Sequence, residues 1–220
     1  MSFIARICVI TSGIGRFYDP CTFIVKKQLG LERNSIDFFG LLWEPVNDEQ
    51  LKSYTNGFRH STIWSSPQRQ FDDLPDVYKA PETILKNFLS MSWGRWLLFQ
   101  QMTQNNIWEQ YDVFIYCRPD VCFNHSLNFS EMSTLLESHD LLVPSNGHWR
   151  GGINDQVAFG GRELATYLNM FPKIVQYIGD GVLLHPETML LHHLNLNGVR
   201  HFKLPIVNYL FRSESEFSTG

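Results

Sequence analysis

Three places in this sequence put charged or proton-bearing side chains where chemistry could use them. The first is Arg118-Pro119-Asp120, which abruptly ends an apolar run from Tyr111 to Cys117. Short apolar runs rich in β-branched and aromatic residues read as buried strands, and in an open α/β sheet the carboxyl ends of the strands face the ligand crevice. Proline between the two charges removes a backbone donor and fixes φ, so both side chains are held in set directions. Asp120 there suits a hard divalent cation bridging two phosphates. The plainer reading is an Arg-Asp pair closing a sheet edge, a contact that contributes little.

The second place is Asn154-Asp155-Gln156, after a pair of glycines and before a short strand. A carboxylate on a glycine-flanked approach can take a proton from an acceptor hydroxyl; an Asx turn capping the strand is the other use of the same residues. The third is Glu187, in a helix that begins at Pro186. Spacing puts it on one face with Leu190, Leu191 and Leu194, toward the interior. It either complements the first-turn amides and helix dipole or projects into a site together with His185.

At the end of the first strand, Thr11, Ser12 and Gly13 let a nucleotide come close, with Arg16 reaching phosphate. A tight strand-to-helix turn with a surface arginine is the alternative. Gly13-Ile14-Gly15 is no dinucleotide fingerprint, because Tyr18 stands where the third glycine belongs. His192 and His193 are adjacent and cannot share a helix face, and there is no HExxH or CxxC pair, which argues against zinc. Nor is there a GxSxG elbow or a Walker loop.

The elements that must position these residues alternate. Strands are expected at 6–11, 36–42, 61–64, 111–117, 139–143 and 156–159, with two short ones around Pro205. Helices are expected from 19 to about 30, 82 to about 106, 130–138, about 162–177 and 184 to about 197. Residues 65–81 read as a long surface loop, of the kind more often functional than idle. Such alternation implies an α/β fold with a mostly parallel central sheet flanked by helices, in a single domain over 1–220. The composition, 44% hydrophobic and 18% charged, is that of a globular protein. A net charge of −4 without a dense basic run argues against nucleic acid and membrane-surface partners. No signal-peptide pattern and no run of apolar residues long enough for a membrane span occur. Cys8, Cys21, Cys117 and Cys122 read as reduced thiols, and the expected compartment is cytoplasmic.

Four segments, in order along most of the chain, resemble one family. Tyr111 to Phe123 is similar to the "yD.vi..RpDl.f" signature of small bacterial and viral sugar transferases linked to surface polysaccharides. Ile153 to Gly160 resembles their "inDqfa.G" segment, Leu184 to Leu191 their "hPE.ll" segment, and Ser12 to Phe17 their opening "SG..R.f". The resemblance implies a GT-A-type fold with a nucleoside diphosphate sugar lying across the carboxyl ends of the sheet. Thr11, Ser12, Gly13 and Arg16 would contact the nucleotide, Asp120 would stand at the metal (Mn2+ or Mg2+) and diphosphate, and Asp155 would face the acceptor.

The chain departs from the usual DxD pair of such enzymes, because Arg118 stands where the first acid would be. Either Arg118 shares the diphosphate charge with a cation held by Asp120, or it replaces the metal altogether. The reaction implied is glycosyl transfer to a hydroxyl of a glycan acceptor, with Asp155 the first choice of general base and Glu187 the second. The loops at 65–81 and 147–152 would close over donor and acceptor. Two other functions fit less of the sequence: a nucleotidyltransferase, which would release pyrophosphate, and a non-catalytic glycan-binding or accessory module.

Overall fold

The computed structural model describes residues 6–14, 19–31, 35–69, 71 and 82–210. Arg16 and most of the loop expected at 65–81 lie outside the described residues.

The chain forms strands β1 (Ile7–Ile14), β2 (Ile36–Glu44), β3 (Ser61–Pro67), β4 (Val113–Cys117), β5 (Val121–Phe123), β6 (Leu141–Pro144), β7 (Val157–Gly160), β8 (His201–Leu204) and β9 (Asn208–Leu210). Between them lie helices α1 (Asp19–Leu29), α2 (Asp48–Thr55), α3 (Glu82–Gln104), α4 (Phe129–Leu136), α5 (Leu164–Leu168), α6 (Ile174–Gly179) and α7 (Pro186–Leu196). Seven strands make one sheet in the order β3-β2-β1-β4-β7-β6-β8, and β5 pairs with β9 in a second, two-stranded sheet.

β1 to β4 run parallel, as the alternation of elements requires. β1 is apolar from Ile7 to Ile10 because both of its faces are covered there. Cys8 and Ile10 pack with Leu98 of α3, while Ile7 and Val9 pack with Val25 and Leu29 of α1. The expected mostly parallel sheet is therefore present, with one reversal. β7 is antiparallel to both β4 and β6. Only a single 3-10 turn, Trp149–Gly151, and no α-helix separates β6 from β7, so nothing forces a parallel crossover.

That reversal positions the site. Val157, at the start of β7, lies opposite Cys117, at the end of β4. Asn154-Asp155-Gln156 thus arrives at the same edge where β1 and β4 end, and the Arg118 N–H donates to the Gln156 carbonyl at 3.2 Å.

Some expectations need correction. The helix expected over 162–177 is broken into α5, a single turn Phe171–Lys173 and α6, because Pro172 has no N–H to continue the ladder. Residues 65–67 are strand, not loop. The short helix α2 was not expected; the Asn47 carboxamide oxygen caps it, accepting from Glu49 N at 3.1 Å and Gln50 N at 3.0 Å.

Gly94, a residue of low helix propensity in the middle of α3, is where α3 lies down on Trp43 at the end of β2: a Cβ at 94 would stand 2.8 Å from the Trp43 ring. Alanine would gain roughly 1 kcal/mol of helix propensity, but overpacking a buried ring costs about 1–3 kcal/mol. Gly94→Ala is expected to lower stability by about 1 kcal/mol net, read as a lower urea midpoint at unchanged m. A midpoint equal to or above that of the unaltered protein would show that α3 is not held against Trp43.

Candidate active site

Arg118-Pro119-Asp120 leaves β4 as a tight turn, closed by Val121 N–H donating to the Arg118 carbonyl at 3.2 Å. The turn aims both side chains the same way. Arg118 donates from Nε to one Asp120 carboxylate oxygen at 3.0 Å and from Nη2 to the other at 2.7 Å. Asp120 is buried, and 30% of the Arg118 side chain is exposed. Burial works against the Arg118 charge and the neighbouring Asp120 carboxylate restores it, so its pKa lies above the ordinary value. Two of the five guanidinium N–H groups serve Asp120, which leaves three for another acceptor.

The centre of the site is Arg95, which was not picked out from the sequence. It projects from α3 and is fully buried, with 1% of the residue exposed. Its Nε donates to Tyr116 Oη at 3.1 Å, and its Nη2 donates to the Asp155 carbonyl and lies 3.3 Å from Asp155 Oδ2. The rings of Tyr116 and Tyr167 lie 5.3 and 5.6 Å from the guanidinium carbon. Burial alone would discharge such a group. The Asp155 carboxylate and the two ring faces sustain the Arg95 charge. A sequence signal existed, because Arg95 falls three and seven residues before Leu98 and Met102 on the buried stripe of α3.

Tyr116 links this centre to β1: its hydroxyl lies 3.4 Å from Ser12 Oγ. Thr11 faces the other side of the sheet, and its buried Oγ1 has no hydrogen-bond partner among the described residues. Gly13 adopts φ 113°, a conformation that favours glycine and leaves the backbone bare at the strand end.

Glu187 sits in the first turn of α7 with 9% of its side chain exposed. Burial first, and then the Asp155 carboxylate, push its carboxyl up to about 7, against the pull of Arg95. His185 Nδ1 lies 3.0 Å from Glu187 Oε2. Burial and then the charge of Arg150 hold that imidazole below its usual pKa.

The segment carrying Asp155 is fastened by Asn154. Its carboxamide oxygen accepts from Gln156 N at 2.9 Å and Val157 N at 3.0 Å, and its Nδ2 donates to Asn146 O at 2.8 Å and Asn208 Oδ1 at 2.9 Å. Tyr167 Oη donates to the Asn154 carbonyl at 3.0 Å. His148 accepts from Asn154 N–H at Nδ1 and must then donate from Nε2 to Pro144 O, at 3.2 and 2.8 Å, which fixes a neutral tautomer.

Of the residues expected from the sequence, Ser12, Arg118, Asp120, Asp155 and Glu187 are thus brought together around Arg95 and Tyr116. Thr11 and Gly13 stand at the adjoining end of β1. A groove of about 650 Å³ at the end of α1, lined by Phe23, Lys27 and Leu127 among others, shares no residue with this site.

No family model and no curated protein matches this chain. Solved structures do. Core-mannan synthase A (CmsA/Ktr4) from Aspergillus fumigatus, in a Mn/GDP form, superposes with TM-score 0.59 at 9% identity, over 93% of this chain and 74% of that one. The galactosyltransferase LgtC, in complex with donor and acceptor sugar analogs, gives TM-score 0.51 at 13% identity, over 89% of this chain and 72% of that one. The fold is of the GT-A type. At such identities the likeness is one of fold.

In this GT-A chain the residue expected at a metal is occupied: both Asp120 oxygens accept from Arg118. Among the described residues no three His, Cys, Asp or Glu side chains gather where a cation could be held. The donor set therefore does not fit Mn2+ or Mg2+ while the Arg118 and Asp120 pair is intact.

Removing Arg95 would leave Asp155 buried without its cation, a change that costs about 3–5 kcal/mol. Arg95→Met is expected to destabilise the protein by that order in urea denaturation, and Arg95→Met/Asp155→Asn to regain a substantial part. A double variant no more stable than the single one would show that the ion pair is not what holds this segment.

Proposed function

We propose that this chain is a glycosyltransferase that moves a sugar from a nucleoside diphosphate sugar to a hydroxyl of a glycan acceptor. The observation that carries the reading is a carboxylic acid tuned to about 7, Glu187, held beside Asp155 and Arg95 at the strand-end crevice of a GT-A fold. The chain acts as a single domain over 1–220, in the cytoplasm. Its products belong to surface polysaccharide or glycoprotein glycans, as in the bacterial and viral transferases whose motifs it resembles.

In this reading the nucleotide lies along Thr11, Ser12 and Gly13, with Arg16 on phosphate. The free N–H groups of Arg118 meet the diphosphate, where negative charge grows as it leaves. The bond from the anomeric carbon to the diphosphate oxygen breaks, and its electron pair stays on the diphosphate. The acceptor oxygen bonds to that carbon, and its proton passes to the Glu187 carboxylate. A base works best when its pKa lies near the operating pH, which favours Glu187 over Asp155 and reverses the order expected from the sequence. Asp155, hydrogen-bonded to Arg95, has the role of raising Glu187 through its negative charge, in addition to burial. No step passes through a metal.

The test is release of nucleoside diphosphate from a panel of nucleoside diphosphate sugars, with glycosides as acceptors. Turnover is expected to rise with pH through about 7, since only ionised Glu187 accepts a proton. Glu187→Gln should slow it by about 100-fold or more. Asp155→Asn removes the charge that raises Glu187, so the pH rise should move to lower pH. A rise that stays in place in Asp155→Asn would take the titration away from Glu187. Pyrophosphate as the released product would replace the reading with nucleotidyl transfer, and donors left intact would replace it with glycan binding alone.

A second outcome follows from the ion pair. Donor binding is expected to persist in EDTA and to weaken by roughly tenfold in Arg118→Ala, measured by calorimetry. Loss in EDTA with recovery in Mn2+ would show that a cation displaces Arg118 from Asp120.

A further inference from the structure

Among the described residues, six arginines have a carboxylate partner: Arg6, Arg59, Arg95, Arg118, Arg162 and Arg200. Arg69 lies over the rings of Phe71 and Trp93, at 5.0 and 4.6 Å. Arg150 has neither an ion pair nor a ring contact among the described residues, and it is exposed. Beside it stands Trp149, 65% exposed, one of the most exposed large apolar side chains described.

These two residues are not on a slack loop. Arg150 is held at φ 51° and ψ 37°, a left-handed conformation that a non-glycine residue adopts at a cost. Its carbonyl accepts from Thr188 Oγ1 at 3.4 Å, and Ile153 N–H donates to the Glu187 carbonyl at 3.1 Å. Gly152 presses on the first turn of α7 so closely that a Cβ there would stand 2.2 Å from the Glu187 carbonyl carbon. The loop is therefore mounted on the same helical turn that carries Glu187. The guanidinium of Arg150 is close enough to His185 to help depress its pKa, and His185 in turn touches Glu187.

An exposed indole and an exposed guanidinium on consecutive residues of a turn whose backbone is held offer a surface for a ring with an apolar face and an anionic edge. We propose that Trp149 and Arg150 form the acceptor subsite and that it takes an anionic pyranose, the ring stacked on Trp149 and a carboxylate or phosphate substituent bound by Arg150. The location of the subsite relative to Glu187 rests on the transferase reading; the recognition of the sugar does not.

The experiment uses methyl glucuronide and methyl glucoside, which differ in one carboxylate, titrated into the full chain and followed by saturation-transfer NMR. Methyl glucuronide is expected to bind about tenfold more tightly than methyl glucoside. That advantage should vanish in Arg150→Gln and shrink with added salt. Trp149→Ala should weaken both glycosides by about tenfold; at this exposure the substitution does not threaten folding. Sugar phosphate in place of glucuronide separates a phosphate preference from a carboxylate one. Equal binding of the two glycosides, no binding of either, or titrations unmoved by Trp149→Ala would each overturn the proposal. Nucleoside diphosphate release by the unaltered protein, measured in parallel, tests the transferase reading separately. The expected glycoside pattern supports this surface whatever that release assay gives.

Discussion

The buried pair of Arg95 and Asp155 is the constraint on which the rest of this site depends. A guanidinium with 2% of its side chain exposed can remain charged only if the fold brings acceptors to it. The acceptors come from three elements far apart in sequence. Tyr116 comes from β4, Tyr167 from α5 and Asp155 from the approach to β7. Each is thereby placed at the carboxyl end of the parallel strands. A hydrophobic residue at 95 would fill the same space, but it would not fix the direction of the Asp155 carboxylate or its charge.

From that pair the electrostatics of the site follow in order. One cation faces two buried carboxylates, and the nearer one, Asp155, is hydrogen-bonded to it. Burial first and then the Asp155 charge push Glu187 up, Arg95 offsets only part of this, and Glu187 holds its proton to about 7. Two carboxyl groups of similar chemistry are thus separated in role by their distance from one guanidinium. The separation is stable because neither can drift. The Asn154 carboxamide ties the Asp155 segment to Asn146 and Asn208, and Gly152 locks the loop against the backbone of Glu187.

How much of this was legible in the sequence depends on how local each signal is. The end of β1 was expected at Thr11, because Ser12 and Gly13 do not read as strand residues, whereas β1 runs on to Ile14. The strand end at Cys117 was readable because a strand buried on both faces is apolar and the charges that follow it stand out. Arg118, Asp120, Asp155 and Glu187 were found for that reason, each breaking or flanking an apolar pattern. Arg95 was not, because an arginine in a helix is ordinarily a solvated one, and only its place on the stripe with Leu98 and Met102 marks it as buried. The reversal of β7 was also missed. Its direction is fixed by pairing with β4 and β6, strands distant in sequence, whereas the alternation of elements points to parallel strands by default. Pairing of Arg118 with Asp120 was weighed as an exposed contact, and only the structure shows the carboxylate to be buried.

That burial changes what a strand-end arginine means. An exposed pair would exchange freely with water and offer little to a ligand. Here Asp120 is withdrawn from solvent and spends both oxygens on Arg118, so its charge is already neutralised before any ligand arrives. The guanidinium is partly exposed, and its position is set by the carboxylate it binds. A pair of acids at this place would need a divalent cation to turn a negative site into one that accepts a diphosphate. An arginine backed by one acid presents donors outward without that conversion, at the cost of a lower local charge than a dication would supply. The RPD turn thus differs electrostatically from a pair of acids at the same strand end, and the proline between the two partners fixes the backbone that joins them.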